Sequence, residues 1–161
     1  MKKITPVSEV VANAGKIIKW LSPFQAFEML KNETGILLDL RDVRELNRTE
    51  KIEDAIQAPR GMLEFWEEPN SPYHKSIFKT DKALILFCAS KWRSALAAKT
   101  LMEMGFDRIF DIEGGLTAWI DAGYPTQEQN IQSNSKNLIM EYPRQDALLL
   151  DLPDANSFLS N

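Results

Sequence analysis

The sequence predicts an α/β domain built on a central parallel five-stranded sheet with helices on both faces. Three observations lead there. Short, mostly apolar runs, "ILLDL" at 36–40, "ALILF" at 83–87 and "RIFDI" at 108–112, have the length and composition of strands buried on both sides. Between them lie segments with apolar residues three and four apart, the spacing of one helix face. Glycines, prolines and capping residues fall at the joints rather than inside either pattern.

Taken in order, "KIIKWLS" at 16–22 reads as a short strand running into a helix cap. Ser22 precedes Pro23 and then the helical period of Phe24, Phe27, Met29 and Leu30, with Gly35 as the stop. The run 36–40 is the second strand, carries Asp39 near its carboxyl end and is followed by a helical turn, "DVREL". "AIQAP" at 55–59 is the third, short strand. "RGMLEFWEE" at 60–68 can form a helix with Met62, Leu63 and Trp66 on one face; such a face is more often core packing than a substrate wall, though its place after the third strand could bring Glu64 or Trp66 to the mouth of a site there. "PNSPYH" ends that helix, and His74, the sole histidine, reads as a surface-loop residue. The fourth strand is 83–87. From Ser94 to Met104 the series Leu96, Ala97, Thr100, Leu101, Met104 predicts a helix packed on one side and stopped at Gly105. The fifth strand is 108–112, and "GGLTAWIDAG" supplies a last helix with Leu116, Trp119 and Ile120 inward and Gly123 as its end.

Composition sets the bounds. A chain of 161 residues, 44% apolar and 26% charged, suits one domain with a sizeable core. That domain is read as residues 1–125, with its core at about 17–125. A polar linker, "TQEQNIQSNSKN", follows at 126–137, and a C-terminal extension occupies 138–161. Within the extension "LLLDLPDANSFL" at 148–159 is similar to "ILLDLRDVREL" at 36–46, and chance is the simpler reading because short apolar strands followed by Asp are common. The balance of 19 basic and 23 acidic residues is not the footprint of a nucleic-acid binder. One cysteine excludes an internal disulfide and a cysteine-rich zinc site, and suits a reducing cytoplasm. "MKKITPVSEVVANAG" makes a poor signal peptide, and no run approaches the ~20 apolar residues of a membrane span. The expectation is a soluble, cytoplasmic protein that engages neither nucleic acid nor membrane.

The chemistry concentrates in "CASKWRS" at 88–94, directly after the fourth strand. In parallel sheets ligands bind at the carboxyl ends of the strands, where Cys88 lies. A thiol ionises more readily at a helix N-terminus and near cations, and this stretch offers both, with Lys91 and Arg93 close by. A chain turning from strand to helix here points successive N–H groups inward as an anion nest. A packed structural thiol is the alternative, since free cysteine is among the most buried residue types.

The run "LILFCASKWRSALAAKTLMEMGFDRIFDIEGGLTAWIDAGYP" resembles the second half of a rhodanese domain: strand, Cys-x-x-x-x-Arg-Ser loop, helix, strand, Gly-Gly and a Trp-containing helix. "LSPFQAFEML", "LLDLRDVREL" and "IEDAIQAP" are similar to the first half, so the resemblance covers about residues 17–125. It implies a thiosulfate sulfurtransferase-like enzyme with Cys88 as a persulfide carrier and no metal or organic cofactor. The substrates implied are a small sulfur donor such as thiosulfate and a thiol or cyanide acceptor, with a protein acceptor as a further class; kinetics would be ping-pong. Ala89, Ser90, Lys91, Trp92, Arg93 and Ser94 then form the substrate-binding loop. Arg93 is expected to pair with Asp39 or Glu45, and Asp39 and Arg41 to support the loop from behind. Four residues separate Cys88 from Arg93, where the related phosphatases have five, which favours sulfur over phosphoryl chemistry. Lys91 stands where many active members have glycine, and Glu50-Lys51-Ile52 replaces the usual Gly-His-Ile. The alternatives are a catalytically inactive rhodanese-like binding module and an enzyme acting on phosphate or arsenate.

Overall fold

Strands without polar alternation must be covered on both sides, and the chain does this by sending a helix across the sheet between most successive strands. The computed structural model describes residues 3–128. Its strands are β1 (Trp20–Leu21), β2 (Gly35–Asp39), β3 (Ile56–Gln57), β4 (Ala83–Phe87) and β5 (Ile109–Ile112). They form one sheet in the order β1-β5-β4-β2-β3, with every pairing parallel. The helices are α1 (Val7–Gly15), α2 (Pro23–Lys31), α3 (Val43–Leu46), α4 (Leu63–Glu67), α5 (Trp92–Glu103) and α6 (Gly115–Asp121).

Alternate residues of the central strands divide the core in two. Leu38, Leu84, Leu86 and Ile109 face α5, whose Ala95, Ala97, Ala98 and Leu101 cover them. Leu37, Ile85, Phe87 and Ile112 face Ala26 of α2 and Leu116 and Trp119 of α6. Cys88 continues the α5 side. No described helix is long and apolar enough to cross a membrane.

Several local expectations are corrected. α1 was not anticipated, although Val7, Val10, Val11 and Ala14 have helical spacing; Val11 and Ala14 are buried, and α1 packs on α5. Its end consumes residues read as strand, because the Ile17 and Ile18 N–H groups donate to the Ala14 carbonyl. The first strand therefore shrinks to two residues. Ser22 caps α2 as expected, in a reciprocal box with Gln25. Gly35 does not stop that helix. Glu33 makes the left-handed turn (φ 56°), and Gly35 opens β2, where a Cβ would lie 2.6 Å from Ile85 Cδ1. Close packing against Ile85 and Met29, not chain reversal, favours that glycine. Ile120 is 40% exposed rather than inward. Trp119 takes the buried side of α6, its ring against Phe27 and Tyr124 and its Nε1–H donating to the Pro125 carbonyl. One helical step onward, Ile120 faces out.

Thr126 and Gln127, at the start of the stretch read as linker, are tied back to the domain: Thr126 donates to Glu50, and Gln127 exchanges two backbone hydrogen bonds with Lys51. The similarity at 148–159 lies outside the described residues.

At the amino ends of the strands a recess is lined by Glu67, His74, Phe78, Asp81 and Phe106. His74 is half-buried, and its Nδ1 has no hydrogen-bond partner among the described residues. Glu67 is buried with Oε1 unpaired, and burial pushes its carboxyl up to about 8 from 4.5. The folded state therefore holds a proton that the unfolded chain has released, between pH 4.5 and about 8, and stability falls as pH rises through that window. Glu67→Gln is expected to flatten the fall by on the order of 1–2 kcal/mol. Urea midpoints measured from acid to alkaline pH on both proteins check it.

Candidate active site

Cys88 follows the last residue of β4, and α5 begins at Trp92, so the turn from strand to helix occupies four residues. The thiol lies at the bottom of that turn, 1% exposed. Its sulfur accepts a hydrogen bond from the Ser94 hydroxyl at 3.5 Å, in the first turn of α5. The N–H groups of residues 89–94 donate to no described carbonyl or side chain; the first paired amide is that of Ala95, to the Lys91 carbonyl. Ser90, Lys91 and Trp92 are exposed, and a consecutive series of unpaired N–H groups leading into a helix favours negative charge nearby. Lys91 has φ −163° and ψ −15°, outside the left-handed region, so lysine in place of glycine brings no left-handed strain.

Two supports hold the loop. From behind, the N–H groups of Leu116 and Thr117 in α6 donate to the Cys88 and Ala89 carbonyls at 2.9 and 3.1 Å, and the Thr117 hydroxyl reaches the Ala89 carbonyl at 3.0 Å. Such close approach needs glycine. Gly115 has φ +60°, and a Cβ there would lie 2.4 Å from the Ser90 oxygen and 2.6 Å from the Cys88 oxygen. The Gly-Gly pair is thus a saddle for the cysteine loop. From the side, Arg93 forks onto both Glu45 oxygens, one contact at 2.8 Å. The same Glu45 accepts from the Asp42 N–H at 3.0 Å and caps α3. Hydrogen bonding from Arg93 holds the Glu45 carboxyl down at about 2. Glu45 in turn raises Arg93, with a smaller contribution from Cys88, so the guanidinium stays charged beside the sulfur.

Of the two carboxylates predicted for Arg93, Glu45 is the partner. Asp39 is occupied by Arg41, which donates Nε and Nη2 to it at 2.9 and 2.6 Å and extends Nη1 to Thr49 and Nη2 to the Glu50 carbonyl. Both side chains are 2% exposed. This pair braces the chain leaving β2, where the Leu40 N–H donates to the Phe87 carbonyl just before Cys88. Ser90, Lys91 and Trp92 form the exposed crest, Trp92 being 46% exposed. α4 does not bring Glu64 to the cysteine. Glu64 pairs with Arg60, which also reaches Thr100 on the body of α5, and Trp66 is capped by the Lys75 ammonium 3.3 Å from its ring centre. His74 lies at the opposite end of the sheet from Cys88.

Sequence reasoning passed over Gly115 and Thr117 as site residues. The Gly-Gly was visible, but only the fold shows that it backs the loop.

This is a wholly parallel α/β domain with one buried cysteine at the carboxyl end of a central strand, the end at which such sheets bind ligands. The rhodanese-like domain model matches residues 23–122, and the chain belongs to that family. Thiosulfate sulfurtransferase GlpE of Glaesserella parasuis is 28% identical over 109 residues, 66% of this chain and 91% of that protein. Among solved structures, a Rhodopseudomonas palustris protein of unknown function, described as a possible tyrosine phosphatase, is 40% identical with a TM-score of 0.73, covering 79% of this chain and 98% of its own. The polysulfide-sulfur transferase homodimer of Wolinella succinogenes is 28% identical with a TM-score of 0.58, covering 80% and 91%.

Proposed function

We propose that this domain is a sulfurtransferase that carries sulfane sulfur on Cys88. The observation that supports this most directly is the run of unpaired N–H groups at residues 89–94, directly after the buried Cys88 and leading into α5. They suit an anionic thiolate, an anionic donor and the persulfide alike. In the first half-reaction the Cys88 thiolate attacks the outer sulfur of a donor such as thiosulfate. A new S–S bond forms, the donor's S–S bond breaks, and its electron pair departs with sulfite. In the second, a thiol or cyanide acceptor attacks the outer sulfur of the persulfide, and the pair returns to Cys88. Lys91 and the nest amides bind the donor's charge, and Arg93, anchored on Glu45, keeps the loop in shape. Asp39 and Arg41 act further back, on the strand end. The covered thiol requires the crest at residues 89–92 to yield before a donor reaches it.

A phosphatase reading draws on the description of the Rhodopseudomonas protein. Two features weigh against it. The loop has four residues between cysteine and arginine, and the arginine is committed to Glu45 rather than free to clasp a phosphoryl group.

The test is intact mass after incubation with thiosulfate, followed by cyanide, alongside an assay with an aryl phosphate. A gain of about 32 Da that cyanide removes supports the sulfur cycle. Absence of the adduct from a folded protein whose thiol reacts with an alkylating agent overturns thiosulfate as donor, and phosphate release turns the assignment to the phosphatase.

A further inference from the structure

The recess at the amino ends of β4 and β5 has a volume of about 670 Å³. Its walls are three segments: the end of α4 with the loop after it, residues 78–81 ahead of β4, and Phe106 ahead of β5. A second hollow shares Glu67, Phe78 and Phe106 with it and continues to Leu84 and Ile109. Phe78, Leu84 and Ile109 belong to the buried core and Phe106 packs against that core, so the floor is apolar. Two polar atoms in these walls have no partner among the described residues. Glu67 is 2% exposed, and its Oε1 accepts no hydrogen bond. His74 Nδ1 is equally sealed and unpaired.

The backbone brings these two residues together. The Lys75 N–H donates to the Trp66 carbonyl and the His74 N–H to the Ser71 carbonyl, both at 3.1 Å, which folds the segment carrying His74 back against the end of α4. The Lys75 ammonium on the Trp66 ring holds the same closure. A buried carboxyl without a partner is costly, and folded domains keep few of them. Burial is the sole influence on Glu67, with no neighbouring cation to offset it. At the rim the charges are mixed: Lys79, Lys82 and Arg108 stand with Asp81 and Asp107, all exposed, and Arg108 is engaged with the Asp81 carbonyl. Exposed charges of both signs are screened by salt and select little. The charge that selects is Glu67, at depth.

We propose that this recess binds a small organic cation, an amine or amidine head on a flat apolar body, with the head donating to Glu67 and the body lying against Phe78 and Phe106. Such a ligand supplies the N–H donor that the carboxyl lacks and covers aromatic surface with an apolar face. His74 Nδ1 offers the head a second polar contact. The site lies at the opposite end of the sheet from Cys88, so it goes beyond the sulfurtransferase reading and does not depend on it. Binding there makes and breaks no covalent bond.

The experiment is a heteronuclear NMR titration of the full chain with benzamidine at mildly alkaline pH, which favours the carboxylate. Benzamide serves as the same body with an uncharged head, and guanidinium as the head without a body. Benzamidine should shift the amides of Glu67, His74, Phe78 and Phe106 saturably, with a dissociation constant on the order of 1 mM or tighter. Benzamide and guanidinium should each bind at least about tenfold more weakly. Glu67→Gln keeps the shape of the side chain and removes its charge, and should weaken benzamidine about tenfold while leaving benzamide unchanged. Phe106→Ala should weaken both. If benzamidine gives no saturable shift at these residues below about 10 mM, or if a folded Glu67→Gln binds it as the wild type does, the proposal is overturned. Equal binding of benzamidine and benzamide overturns it as well, and that comparison uses the wild type alone, so it depends on no variant folding.

Discussion

On the proposed sulfurtransferase reading, Cys88→Ser is expected to give a folded protein that gains no sulfur from thiosulfate and transfers sulfur at least about a thousandfold more slowly than the wild type. The size of the effect follows from covalent catalysis: without the thiolate there is no carrier between the two half-reactions, and the nest can only bind the donor. The fold survives because the side chain is small, at the end of a strand whose neighbours are unchanged, and a hydroxyl can take over the hydrogen bond from Ser94. Two measurements check it, the rate of thiocyanate formation from thiosulfate and cyanide, and the urea midpoint of the variant. A variant that retains turnover removes Cys88 from the mechanism.

Asp39→Ala is expected to cost the most stability of any single change considered. It strips the carboxylate from a guanidinium that is 2% exposed, leaving Arg41 only Thr49 and the Glu50 carbonyl. Breaking a buried ion pair by removing one partner costs about 3–5 kcal/mol, much of the ~5–15 kcal/mol by which a domain is stable. Removing both charges has a different outcome. Asp39→Leu combined with Arg41→Met should recover most of the loss, because no unpaired charge is left and the site stays filled. Chemical denaturation of both variants measures the difference. An Asp39→Ala protein as stable as the double variant shows the pair to be energetically idle.

Much of the sheet was legible because its signal is local. The fourth strand was read at 83–87, where it is found, since five consecutive apolar residues ended by a polar turn leave few alternatives. The Ser22 cap and the Gly123 stop were legible for the same reason, each being a rule about neighbours in sequence. Where two rules met at one residue, local reading failed. Gly35 satisfies both a helix stop and a close strand contact, and only the position of Ile85 across the sheet decides for the contact. Leu116, Trp119 and Ile120 all fit an inward face until Phe27 and Tyr124 claim the tryptophan side. α1 was passed over although its spacing is regular. Its buried stripe amounts to Val11 and Ala14, enough to pack on α5 but narrow beside the fuller faces of the other helices.

The sequence by itself determined the order of the five strands and of the helices after the first strand, and the place of one cysteine at a strand end, ahead of an arginine and a serine, because apolar periodicity and capping act within a few residues. Tertiary structure alone decided which carboxylate meets Arg93 and why Gly115 must lack a side chain. Those are meetings between residues 25 to 48 positions apart. They depend on strand register, helix direction and the packing of two core layers, none of which is encoded in the pattern of any one segment.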